Sequence, residues 1–154
     1  MKKQISTIAA ILIVNVFYGQ WTEQFYVDDF GEKTNQSYNY IIAKGTFSNS
    51  ATQNSKLTCK LIDSDSSLMI NVYEYGSKLA TSIESTNEIV KIKQPSGDII
   101  AIKAAFFYKK GYLVFSEKKY TELMNSIKEK GNYIMIFSRT GTYSSSDYKI
   151  NFTI

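Results

Sequence analysis

From Trp21 onward, apolar and polar residues alternate at a period of two, the pattern of strands that bury one face. Residues 21–28 read as a first strand, with Trp21, Glu23, Phe25 and Val27 on one face, and Phe30-Gly31-Glu32-Lys33-Thr34 breaks it. Residues 38–47 form a second, with Tyr38, Tyr40 and Ile42 on one side. Residues 45–57 are rich in small neutral polar side chains, which can bond to nearby backbone, and they predict a shaped connecting loop anchored by Phe47 and Leu57. Strands follow at 57–62 and 68–75, separated by the turn Asp63-Ser64-Asp65-Ser66-Ser67, with a weaker one at 79–84.

Residues 88–94 and 99–108 make the clearest hairpin. Pro95 fixes an early turn position and Gly97 is free to take a positive φ. The second arm is apolar on both faces (Ile99-Ile100-Ala101-Ile102, then Ala104-Ala105-Phe106-Phe107), which predicts a strand that is central in its sheet or covered on its second side. After a short strand at 112–115 the period changes. Tyr120, Leu123, Met124 and Ile127 fall at i, i+3, i+4 and i+7, one stripe of a helix, with Ser116 as its expected N-cap and Gly131 as its stop. Strands return at 133–139 and 148–154, the latter with Tyr148, Ile150, Phe152 and Ile154 on one face.

The fold class expected is mainly β: an antiparallel β-sandwich or barrel of about 8–10 strands, with one short helix near the C-terminus covering an open end or a sheet face. A closed, lipocalin-type barrel is the nearest rival, although two strands follow the helix and no glycine-x-tryptophan entry motif is present. A lipid-spanning barrel is disfavoured, because such strands need about 9–11 residues each and several here are shorter.

The N-terminus alters the compartment. Lys2 and Lys3 precede an apolar run at 5–17 and the small residue Gly19, the shape of a secretory signal peptide cut after Gly19 or Gln20. The mature chain, residues 20–154, then reads as a single β-rich domain with no stable transmembrane segment, exported to the periplasm, the cell envelope or the medium. It carries sixteen basic and fourteen acidic side chains and no continuous basic stripe, so nucleic acid is not an expected partner.

The protein has no histidine, which excludes Ser-His-Asp and Cys-His catalysis and histidine-ligated metals. Cys59, in phase with Leu57 and Leu61, reads as a buried apolar residue. Asp63-x-Asp65-x-Ser67 with Glu74 imitates a calcium-loop spacing, but Leu68 stands where the sharp turn wants glycine. Asp28, Asp29 and Glu32 form a second acidic cluster, the basis of a carboxylate-dependent hydrolase alternative. No cofactor or metal, and no catalytic residue, is expected.

The aromatic content, 14% of the chain, is more suggestive. Tyr38 and Tyr40 pair along one strand, and Tyr73 and Tyr75 share a face opposite Leu68, Ile70 and Val72. Beside Ser48 and Asn49, these four tyrosines are the candidate ligand-binding residues, a platform for a protein, peptide or glycan. Trp21, Asp28-Asp29-Phe30-Gly31-Glu32-Lys33-Thr34 and Gly45-Thr46-Phe47-Ser48-Asn49-Ser50-Ala51-Thr52, with the final Tyr-x-Ile-x-Phe strand, resemble a pattern in small exported bacterial β-sandwich proteins of unknown function. That resemblance implies a fold and a compartment, with no catalytic residues. The expected function is therefore a non-enzymatic binding or interaction module. The alternatives are the hydrolase and a lipocalin-like carrier of a small apolar ligand, whose pocket would be lined by residues such as Ile42, Phe107 and Phe137.

Overall fold

A computed structural model describes residues 21–64, 66–80, 85–107, 110–141 and 145–154. The signal-peptide expectation, on residues 1–20, lies outside them. The strands are β1 (Thr22–Val27), β2 (Lys33–Asn49), β3 (Thr52–Ser64), β4 (Ser67–Glu74), β5 (Lys78–Leu79), β6 (Thr86–Lys93), β7 (Ile99–Phe107), β8 (Tyr112–Ser116), β9 (Asn132–Thr140) and β10 (Ser145–Thr153), with α1 (Lys118–Ser126) between β8 and β9.

Eight of these strands close on themselves in the order β2-β10-β9-β6-β7-β8-β4-β3, every pairing antiparallel, because β2 pairs with both β10 and β3. The protein is a barrel, and the sandwich expectation is corrected. Residues on the two walls of a sandwich and on the inside of a barrel alternate identically, so only the pairing on both edges of β2 separates the two. The barrel is not a simple up-and-down ring. The β6-β7-β8 meander is inserted in reverse, so the β4–β6 connection crosses one end and the β8–β9 connection, with α1, crosses the other.

Alternation fills the interior. Leu57, Cys59 and Leu61 of β3, Leu68, Ile70 and Val72 of β4, Val90 and Ile92 of β6, and Met135 and Phe137 of β9 are all buried in one core. An eight-strand ring is wide enough to be filled by side chains or to hold one small ligand, and here these side chains occupy its middle. An apolar inside with a polar outside is the reverse of a lipid-spanning barrel, whose lumen is polar and whose outward band is apolar. Among the described residues no helix is long and apolar enough to cross a membrane.

α1 lies across what we call the lower end. Leu123 and Ile127 are buried, Tyr120 Oη donates to Asp63 Oδ1 at 2.8 Å on β3, and Gln94 Nε2 beyond β6 donates to the Ser126 carbonyl at 2.7 Å, so the helix is tied to opposite sides of the ring. Its stripe matches the expected one, but its ends do not. Ser116 closes β8, and Glu117 occupies the N-cap position at φ 52° with no side-chain cap. Gly131 pairs with Ile154 at the foot of β9, five residues after the helix ends, so it is a strand-start residue and not the stop.

Three further expectations change. The polar run at 45–57 is not a loop, because β2 continues to Asn49 and β3 begins at Thr52, leaving Ser50 and Ala51 as a tight turn. Its alternation continues through the small polar residues, with Phe47 and Leu57 buried on the inward phase as anchors. β7 is central, paired with β6 on one edge and β8 on the other, but its outer face is uncovered, with Ile99 and Phe107 exposed. Of the weak strand at 79–84, the described part holds β5, which starts one residue earlier at Lys78 and pairs with Tyr73 and Glu74; residues 81–84 lie outside the described residues. The Pro95–Asp98 turn is as expected, with Gly97 at φ 96° and Gln94 N–H bonded to the Asp98 carbonyl.

Candidate functional site: a cleft in the barrel wall

β6 keeps its full ladder with β7, from Thr86 opposite Phe106 to Lys93 opposite Ile99, but pairs with β9 only at Lys91–Lys93 against Ile134–Ile136. Towards the upper end β6 therefore follows β7 and leaves β9, which stays paired to β10 along its length. A cleft of about 620 Å³ opens where the wall parts. Asn87 and Ile89 line one side, Ser138 and Thr140 the other, and the β2–β3 hairpin contributes Thr46, Ser48 and Asn54. Because the wall is open, the cleft also reaches inward-facing residues: Glu88, Phe137, Tyr148 and Phe47.

The upper interior is polar where the rest of the barrel is apolar. Glu88 and Arg139 are each only 8% exposed, on the inward phase of β6 and β9. Continued by three residues, the β6–β9 register would set them opposite each other. Thr86 Oγ1 donates to Glu88 Oε1 at 2.6 Å. Arg139 Nη2 donates to the buried Ser146 Oγ at 3.5 Å, and its guanidinium lies 5.8 Å from the Phe106 ring centre. Tyr148 Oη donates to Glu74 Oε1 at 2.8 Å across the barrel. Burial pushes the Tyr148 phenol above its usual range; Arg139 pulls it down, and the Glu74 carboxylate adds to the rise. At neutral pH Tyr148 is thus a fixed hydrogen-bond donor. Phe47, Tyr148 and Phe137 stack beside it, with ring centres 6.3 Å and 4.8 Å apart, and give the floor an apolar, aromatic patch. Aromatic floor plus a few fixed polar groups is the usual make-up of a small-molecule site, and the volume lies within the usual range of about 300–1,000 Å³.

The six residues expected to bind ligand do not converge. Tyr38 and Tyr40 lie on the outer face of β2 towards the lower end, where Lys60 sits over both rings, at 5.1 and 4.3 Å from their centres, and also donates to Tyr38 Oη and Gln24 Oε1. Tyr73 is outward on β4 and half-buried. Tyr75 does not share its face: the strand ends at Glu74, and φ 52° turns Tyr75 so that its ring meets Phe47 edge-on at 5.0 Å. Ser48 lines the cleft, but its Oγ accepts the Asn54 N–H across a bulge in the hairpin. Asn49 Oδ1 accepts the N–H groups of Ala51 and Thr52 and holds the turn.

Of the two acidic clusters, the one at Asp28 is turn chemistry and Asp63 of the other ties β3 to the helix. Asp28 Oδ1 accepts the N–H groups of Phe30 and Glu32, with Gly31 at φ 82°. Asp63 accepts from Tyr120, and Asp65 is outside the described residues. Among the described residues no three acidic or thiol side chains converge as a metal site would require. Of the residues expected around an internal carrier pocket, Phe137 faces inward, whereas Ile42 and Phe107 are on the outer surface.

Glu88, Arg139 and Tyr148 were missed as a group, yet a signal existed: a glutamate in phase with Val90 and Ile92, and an arginine in phase with Met135 and Phe137. No protein-family model, curated protein or solved structure matches the chain.

Proposed function

We propose that this protein is a non-enzymatic binding module that works outside the cytoplasm and takes a small, partly polar ligand into the cleft between β6 and β9. The observation that carries the reading is the early end of the β6–β9 ladder, which opens a cleft with Glu88, Phe137 and Tyr148 in its lining. A ligand with hydroxyl or amide groups beside an apolar face would meet polar lining residues such as Glu88, Asn87 and Ser138 with one side and the stacked rings with the other. The second reading, a carrier of a small apolar ligand, draws on the closed eight-strand ring. With the lower interior occupied by side chains, its cargo would use the same cleft.

The test is a thermal-shift screen of the folded protein against sugars, short peptides, fatty acids and divalent ions. A ligand at a hundred times its Kd adds about 2.7 kcal/mol to stability, a rise of several degrees. The expected outcome is a rise with at least one sugar or peptide that is lost in Ser138→Trp, which fills the cleft mouth from an exposed position. A rise confined to fatty acids favours the carrier. A ligand whose effect survives the tryptophan places recognition elsewhere and refutes the proposal.

A further inference from the structure

The registers lay out the outer face of five adjacent strands, β7, β6, β9, β10 and β2, as a grid. One row across it is Ala101, Lys91, Ile136, Lys149 and Thr46. The next is Ile99, Lys93, Ile134, Asn151 and Lys44. Lys103 stands beside Ile89 above them, and Ile42 is two residues from Lys44. Cations and isoleucines therefore interleave in both directions. Adjacent strands are about 4.8 Å apart, so no lysine of the grid is more than about 10 Å from an isoleucine. Five lysines face outward here, against one outward carboxylate among the described residues of these strands, Asp147, which accepts a hydrogen bond from Ser138 Oγ.

The apolar part is equally uneven. Isolated exposed hydrophobics are normal on any surface and mean little. Among the described residues of the eight ring strands, however, every large exposed apolar side chain is on these five, Ile42 (52% exposed), Ile89, Ile99 (66%), Phe107 and Ile136, while Tyr26, Val27, Phe30 and Tyr75 are exposed off the ring. Ile99, Ile134 and Ile136 floor a shallow depression of about 360 Å³, and Lys91, Lys93 and Lys149 rim it.

We propose that this face docks on the surface of an anionic lipid bilayer. A soluble polyanion would engage the lysines and leave the isoleucines in water. A bilayer satisfies both, since its anionic headgroups overlie acyl chains that short apolar side chains can reach. The charge complementarity comes from the folded state alone, because Lys44, Lys91, Lys93, Lys103 and Lys149 are distributed over four strands. Lys91, Ile136 and Lys149 also line the cleft, so docking would set the mouth of the cleft at the lipid surface.

The experiment is flotation of the full chain with vesicles of phosphatidylcholine alone, or mixed in equal parts with phosphatidylglycerol. Each lysine near an anionic surface accounts for about a five-fold factor in partitioning. Loss of three lysine charges is therefore expected to lower binding to the mixed vesicles by on the order of 100-fold, their reversal in Lys91→Glu/Lys93→Glu/Lys149→Glu by more, and Ile99→Ser/Ile136→Ser by about ten-fold. Added salt should weaken the wild type as it screens the lysines. Residues 1–20 are common to all these proteins, so the differences between them report on the barrel face. Circular dichroism checks that each variant is folded, and the lysine-to-glutamine set replaces the charge reversals if they are not. Equal partitioning of wild type and folded lysine variants overturns the proposal, as does equal binding to the two vesicle types. Binding to heparin that the isoleucine variants retain, without binding to vesicles, overturns it in favour of an acidic polymer. Self-association lost in the isoleucine variants, again without vesicle binding, overturns it in favour of a second copy of the chain. None of these readouts needs the cleft ligand, so this proposal and the cleft reading fail separately.

Discussion

At Cys59 the thiol is enclosed on β3 between its ladder partners Ala43 and Val72. Desolvation pushes it from an ordinary 9.0 up to about 12, against the smaller pull of a hydrogen bond from the Tyr73 backbone. The folded state thus holds this proton more tightly than the unfolded chain. Below pH 9 both states are protonated and the stabilisation is complete. Between pH 9 and about 12 only the unfolded chain releases the proton, and stability falls by about 1.4 kcal/mol per pH unit. Tyr148, also raised, adds to the loss above its own ordinary value of 10.0. Urea unfolding of wild type and Cys59→Ala across this window should show the flatter dependence in the variant, by about that slope. Parallel curves would mean that the thiol does not titrate as its burial requires. The burial of Cys59 was legible from its phase with Leu57 and Leu61. The polar groups of the upper interior left only a partial sign, Glu88 and Arg139 in phase with buried neighbours, because nothing local showed that β6, β9 and β10 lie side by side.

Among the elements, α1 has the most to do for its size. Leu123 is its one fully enclosed side chain within Lys118–Ser126, set against the ends of β7 and β8. Leu123→Ala should cost about 2–5 kcal/mol, measured by urea unfolding, while the exposed Lys118→Ala should stay within about 0.5 kcal/mol. A small effect at Leu123 would mean that the lower end holds together without its helix. The helix was legible because its stripe has a period that no strand shares. Its start was not: Ser116 has the chemistry of a cap, but pairing of β8 with Ser67 of β4 keeps it in the strand. The same competition misled the reading of residues 45–57. Local polar chemistry suggested a loop, whereas ladder pairing on both edges of β2 drew the run into strands. The cleft has no local sign at all, because it is a ladder that stops.

For the whole molecule the decisive feature is the closure at β2. Gly45 is paired there with Ile150 on one side and Leu57 on the other, and a Cβ at this point would overlap the Lys149 carbonyl. Gly45→Ala should force β10 away and cost about 1–3 kcal/mol, with amide exchange speeding up first along β2 and β10. Uniform exchange at unchanged stability would show that the two backbones can give way at no cost. The lysine face belongs to this scale too: no stretch of sequence is a basic stripe, and only the registers assemble one. That closure also orders events in time. β2 is the second strand of the chain and β10 the last. A chain emerging N-terminus first therefore holds one edge of residues 44–49 unpaired until residues 146–151 have followed. Pairings so distant in sequence fold slowly, on the scale of milliseconds to seconds. Hairpins such as β2–β3 and β6–β7 can form earlier, but the ring itself cannot close until residues 146–151 reach β2.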